Sequence, residues 1–171
     1  MKTKFLGAAS TAFALSAVLL YAPSASAATP MTFTLTAGAL SISTPTLSVS
    51  LGSQVSSTTA STISGQIGTV TVTDQRGGTT TWTASAISTA FTPSGGPADP
   101  ASNVSYAAGP VTVSNVVATA VNVTDLTGVS TVVTGASTGI STASWDPTIT
   151  VSIPANFAPG IYGATITQSV A

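Results

Sequence analysis

After residue 31, apolar and polar side chains alternate with period two, and no stretch carries the 3.6-residue spacing of an amphipathic helix. Period two sends one face of a segment inward and the other to water, so the sequence predicts an all-β fold with essentially no helix. In TFTLT (32–36) it places Phe33 and Leu35 together. In LSIS (40–43) it groups Leu40 with Ile42, and in TLSVSL (46–51) Leu47, Val49 and Leu51, with Pro45 marking an edge or a bend. Residues 52–65 read as a polar loop with a weak strand tendency. IGTVTVTDQRGGTTTWTAS (67–85) reads as a hairpin turning through Gln75–Gly78, with Trp82 and Ala84 toward the core and Thr81 and Thr83 toward water. FTPSGGPADPAS (91–102) is a long surface loop. One or two strands follow in 104–126, and 130–141 offers no clear boundaries. The C-terminal stretch predicts two strands around a Pro-Ala-Asn-Phe-Ala-Pro-Gly turn: Ile149, Val151 and Ile153 share one face of the first, and Tyr162, Ala164, Ile166 and Val170 share one face of the second. Eight or nine short strands spaced roughly ten residues apart match an antiparallel, two-sheet, immunoglobulin-like β-sandwich. The absence of a fixed-period repeat argues against a solenoid or propeller.

The start of the chain has a different character. Lys2 and Lys4 precede an apolar run from Phe5 to Leu20, and Ala25-Ser26-Ala27 supplies the small residues a signal peptidase accepts. Residues 1–27 are therefore expected to be a signal peptide, leaving 28–171 as one secreted domain. A membrane anchor needs about 20 continuous apolar residues, and Ser10, Thr11 and Ser16 interrupt this run, so no membrane insertion is expected after cleavage.

Cleavage would leave Arg76 as the only basic side chain against Asp74, Asp99, Asp125 and Asp146. A single arginine cannot form the cationic cluster that nucleic acids or anionic membranes require. There is no cysteine, so neither disulfides nor a lipidated cysteine is available. The wealth of β-branched and apolar residues sets the chain apart from disordered compositions.

Catalytic chemistry has few candidates. Histidine and cysteine are both absent, which removes the commonest general base, the commonest metal ligand and the thiolate nucleophile. A glycan-acting enzyme would have to rely on the four aspartates, which form no acidic cluster in sequence, and glutamate is absent. Calcium is the best metal candidate because it takes oxygen ligands alone, yet no Asp-x-Asp-x-Asp run occurs. The expectation is therefore a non-catalytic protein without metal or cofactor, its aspartates acting as turn formers or solvated charges. Asp74 and Arg76, two apart on an extended segment, read as a surface ion pair worth at most about 1 kcal/mol, a register device at a hairpin end. A second reading puts the arginine beside a carboxylate ligand. Trp82 and Trp145 also have two readings: indoles filling the core, or aromatic platforms for sugar rings.

VTVTDQRGGTTTWTAS, with its strand, Asp-x-Arg-Gly and first tryptophan, and SWDPTITVSIPANFAPGIYGATITQSVA at the C-terminus together resemble the WxL domain of Gram-positive surface proteins and its secreted actinobacterial relatives. The resemblance spans most of residues 31–171. It implies a secreted β-sandwich that binds the cell wall non-covalently through peptidoglycan and assembles with other surface proteins. On that reading Trp82, Trp145, Asp74 and Arg76 are the motif and wall-binding residues. The family motif is Trp-x-Leu, whereas here Trp82 is followed by Thr83 and Ala84 and Trp145 by Asp146 and Pro147. With no LPxTG-like sorting signal after Val170, attachment is expected to be non-covalent. An alternative role is a structural subunit that polymerises by strand addition through threonine-rich edges poor in protective charge.

Overall fold

The computed structural model describes residues 25–93 and 95–171; most of the expected signal peptide lies outside them. Residues 35–171 form one compact unit, and residues 25–34 carry no strand or helix and are exposed. The strands are β1 (Leu40–Ser43), β2 (Ser61–Gln66), β3 (Val70–Asp74), β4 (Thr79–Ser88), β5 (Thr92–Pro93), β6 (Val104–Ala107), β7 (Val111–Ala120), β8 (Ser130–Trp145), β9 (Thr148–Ile153), β10 (Tyr162–Gly163) and β11 (Ile166–Val170). Among the described residues the only helical element is a 3-10 turn at Ala101–Asn103. All strand pairs are antiparallel, and the all-β sandwich expected from the alternation is the observed fold.

One sheet has six strands built around β8. β7 pairs with one edge of β8; β3 and β4 both pair with β8, β1 adds to β3, and β11 adds to β4. The facing sheet is β2-β9-β6, and β5 and β10 form a small ribbon. Between the layers lie Val70, Val72, Val132, Val133, Leu126, Ile149 and Val151, packed around Trp82, Tyr106 and Trp145. Backbone pairing of Tyr106 with Val123 brings the chain after β7 onto β6 and closes one flank of the sandwich.

Several local expectations give way. Residues 67–85 are not a hairpin: Val70–Asp74 faces Trp145–Ser141 and Thr79–Ala86 faces Thr138–Ser130, so β3 and β4 run in the same direction along β8. Gln75–Gly78 is a kink within this line, not a reversal. Gly77 (φ 73) and Gly78 (φ 67) both occupy the left-handed region, which costs a residue without Cβ least. The amide of Gly139 donates to the Gly78 carbonyl at 2.6 Å, which ties the kink to β8. Beyond β8, Asn115 (φ 55) breaks the β7 register at the same level, and its side-chain amide donates to the Ile140 carbonyl. A line of irregularity thus crosses three strands and bends the sheet, as bulges do.

Residues 32–36 and 46–51 alternate like strands but are not paired as strands. Phe33 and Leu35 are 91% and 88% exposed, and Leu47 is 84% exposed. β2 instead arises inside 52–65, where Ser61, Ile63 and Gly65 turn inward. The two C-terminal strands do not form a hairpin either: β9 belongs to the smaller sheet and β11 to the larger, so Pro154–Ile161 crosses between layers. The inward faces of both strands are as the alternation predicts, with Ile149 and Val151 buried and Ile153, Ile166 and Val170 half-buried.

Candidate functional site

Asp74 ends β3 directly before the kink, and its side chain is fully buried. Its Oδ1 accepts from Arg76 Nε at 2.9 Å and from the Arg76 backbone amide at 3.1 Å; its Oδ2 accepts from Arg76 Nη2 at 2.9 Å and from Thr80 Oγ1 at 2.7 Å. Nη2 also donates to the Thr81 carbonyl. The guanidinium hydrogen bonds, aided by Thr80 and the Arg76 amide, outweigh the upward push of burial and hold the Asp74 carboxyl well below the usual carboxylate range. A carboxylate held in this way carries no proton near neutrality and has few lone pairs left for a ligand. The surface ion pair expected from the sequence is therefore corrected: the carboxylate lies in the interior, and only the arginine, 32% exposed, reaches water. The pair stitches the kink between β3 and β4; there is no hairpin end for it to register.

Both tryptophans belong to the core. Trp82, 3% exposed, lies opposite Gly135 on β8, and a Cβ on Gly135 would overlap the indole ring. The missing side chain is what lets the ring lie flat across the neighbouring strand. Among the described residues Trp82 Nε1 has no hydrogen-bond partner. Trp145, 2% exposed, donates from Nε1 to Tyr106 Oη at 2.8 Å, and Tyr106 Oη donates to Gln168 Oε1 at 2.8 Å. This relay joins β8 and β11 of the large sheet to β6 of the small one. Burial pushes the Tyr106 hydroxyl up to about 12, against the smaller downward effect of the Trp145 bond. Neither indole presents a face on which a sugar could stack.

The remaining carboxylates also have structural partners. Asp125 accepts from the Thr127 amide and hydroxyl, which lower its carboxyl pKa, and Asp146 accepts from Thr69 Oγ1. Asp99, read from the sequence as a turn former or solvated charge, is 2% exposed; it accepts from Asn103 Nδ2 and pairs its backbone with Phe91. No group of three metal-ligating side chains occurs among the described residues.

The feature that sequence reasoning missed is a groove of about 730 Å³ walled by both sheets. Ile63 of β2, Ile149 and Val151 of β9, and Ile166 and Gln168 of β11 contribute to its walls, and Asp99 is its one charged lining residue. The segment 44–56 runs over it as a strap without entering either sheet; Leu51 packs against Gly65 of β2. Two bonds pin the strap, Ser56 Oγ to the Phe157 carbonyl and the Asn156 amide to the Ser57 carbonyl. Phe157 and Tyr162 stack obliquely at the rim, ring centroids 5.2 Å apart. The available signal was an aromatic bracketed by two prolines in PANFAP, which reads in sequence only as a turn.

The structure thus separates the four residues singled out from sequence: Asp74 and Arg76 meet at the kink, Trp82 and Trp145 lie in the core, and none of the four lines the groove. No protein-family model, curated protein or solved structure matches the chain.

Proposed function

We propose that the protein is a secreted, non-catalytic surface protein of WxL-like type, held non-covalently at the cell envelope by contacts with peptidoglycan or with other envelope proteins. The groove is the observation that carries this reading: a cleft of mixed walls, apolar at Ile63, Ile149, Val151 and Ile166 and polar at Ser50, Gln54 and Gln168, with one charged residue and the exposed side chains of Leu47, Val55 and Ile161. Clefts that combine apolar walls with a few polar groups suit docking. Acid–base chemistry finds little support, because Asp74, Asp99, Asp125 and Asp146 each already accept a side-chain hydrogen bond. The buried positions of Trp82 and Trp145 favour contact through the groove face over contact through the indoles. Co-sedimentation of the exported chain with purified peptidoglycan tests the wall half of the proposal. Pelleting above an unrelated secreted control is the expected result; none above that control would remove wall binding and leave protein partners as the means of attachment.

A further inference from the structure

Among the described residues the edges of the two main sheets are covered at all but one place. β1 and β11 come close to each other where the large sheet curls back on itself. Val123 caps the outer edge of β6 by exchanging both backbone bonds with Tyr106, and the strap passes β2 with Leu51 against Gly65. The outer edge of β7 has no such cover. β8 is the one strand that packs along β7, and beyond Asn115 the side chains of Val117, Thr119 and Ala120 are exposed.

The direction of the backbone groups along this edge follows from one bond. The Val121 amide donates to the Val132 carbonyl, in register with Thr119 opposite Thr134 and Val117 opposite Ala136. Groups in an antiparallel ladder point to alternate edges, so those of Val117, Thr119 and Val121 are spent on β8 and those of Ala118 and Ala120 face outward. Neither Ala118 nor Ala120 has a backbone hydrogen bond on that side among the described residues. Edge strands are commonly guarded by charge, proline or a bulge. Here Pro110 and the break at Asn115 both lie upstream, and no charged residue occurs between Asp99 and Asp125. The segment after the break is left bare, with Val117 75% and Val121 38% exposed.

We propose that this edge pairs with the same edge of a second copy, residues 117–121 of each running antiparallel about a two-fold axis through Thr119 and joining two large sheets into one. The sequence of the segment is what selects a second copy as the occupant. VATAV reads the same in both directions, so in an antiparallel pair each residue meets its own kind. Ala118 of each copy exchanges both backbone bonds with Ala120 of the other. The Thr119 side chains meet at the axis, and Val117 of each covers Val121 of the other on the outer face. Pairs of β-branched residues across neighbouring strands stabilise a sheet, and no like charges oppose each other here. Moving the axis to Ala118 would set Val117 against Thr119 and bring Val121 opposite the Asn115 break, leaving the exposed valines unmatched. The contact uses the same patch on both copies, so it closes at a dimer and does not propagate into a fibre. It is independent of what the groove binds.

Site-directed cross-linking tests it, because the protein contains no cysteine and one introduced thiol reports on one position. In an antiparallel pair without direct hydrogen bonds the Cα atoms stand about 4.5 Å apart, within the roughly 4.4–6.8 Å that a disulfide spans. Thr119→Cys treated with diamide is therefore expected to give a disulfide-linked dimer on a non-reducing gel. Thr134→Cys, exposed on β8 beside Thr119, would lie about 14 Å from its counterpart, three strand spacings, and is expected to give at least about tenfold less. Adding Val117→Lys to Thr119→Cys supplies the kind of charge that guards natural edges and is expected to abolish the linked dimer. All three positions are exposed, and circular dichroism verifies the fold of each variant. No linked dimer from Thr119→Cys, an equal yield from Thr134→Cys, or a dimer indifferent to Val117→Lys would overturn the proposal. Sedimentation velocity of the unsubstituted protein decides the matter if a variant fails to fold: a concentration-dependent rise to twice the monomer mass upholds the dimer, and a monomer at every concentration sinks it.

Discussion

The indole N–H of Trp145 and the hydroxyl oxygen of Tyr106 stand 2.8 Å apart in the interior, and the same hydroxyl passes its proton toward Gln168. Three strands from two sheets meet at this phenol, so Tyr106 fastens the sandwich as well as filling it.

Replacing Tyr106 by Phe keeps the ring but leaves the buried Trp145 donor unmatched. We expect a loss of about 1–3 kcal/mol in urea unfolding, the typical cost of an unsatisfied buried polar group. The same hydroxyl dictates alkaline behaviour. Its folded pKa of about 12 lies above the ordinary value of 10.0, so its contribution is complete below pH 10 and falls away as pH rises toward 12. Phenolate absorbance should show one tyrosine titrating late, and Tyr106→Phe should flatten the stability loss in that window.

Arg76→Ala would leave the Asp74 carboxylate buried with fewer donors. A surface pair would cost at most about 1 kcal/mol; at this buried carboxylate we expect about 3 kcal/mol or more in urea unfolding. The acid limb has a definite sign. The folded carboxyl titrates below its unfolded value, so its stabilisation is present above the ordinary aspartate range and is lost as pH falls through and below it. Arg76→Ala raises the folded pKa, and the acid midpoint followed by circular dichroism should move to higher pH.

Gly135→Ala places a methyl group where the Trp82 ring lies. We expect destabilisation of about 1–3 kcal/mol or more from this overpacking, read by thermal unfolding. Gly128→Ala, at a position with open space around the added carbon, is the matched control and should change little.

Much of the architecture was legible because alternation reports burial directly. Trp82 and Ala84 inward, Ile149 and Val151 inward, and Leu40 with Ile42 on one face all follow from period two. Alternation says nothing of partners, however. Leu47 and Phe33 alternate as well as Val72 does, yet no strand pairs with either, and sequence cannot show which segment finds an edge. The longest strand, β8, was the least readable: Gly135, Gly139 and a run of Ser, Thr and Ala hide its period, although Gly135 is small for the sake of Trp82. Asp-x-Arg-Gly-Gly was visible as a motif, but turn residues signal reversal more often than a kink in a continuing line. The groove was invisible because its walls come from segments separated by more than a hundred residues.

The most direct test of where this protein makes its contacts is acrylamide quenching of its tryptophan fluorescence, with and without soluble peptidoglycan fragments. Trp82 and Trp145 in the core should give weak quenching that the fragments leave unchanged, consistent with contacts made through the groove. Strongly quenched indoles that become protected when fragments are added would contradict this and make the tryptophans themselves the wall-binding site.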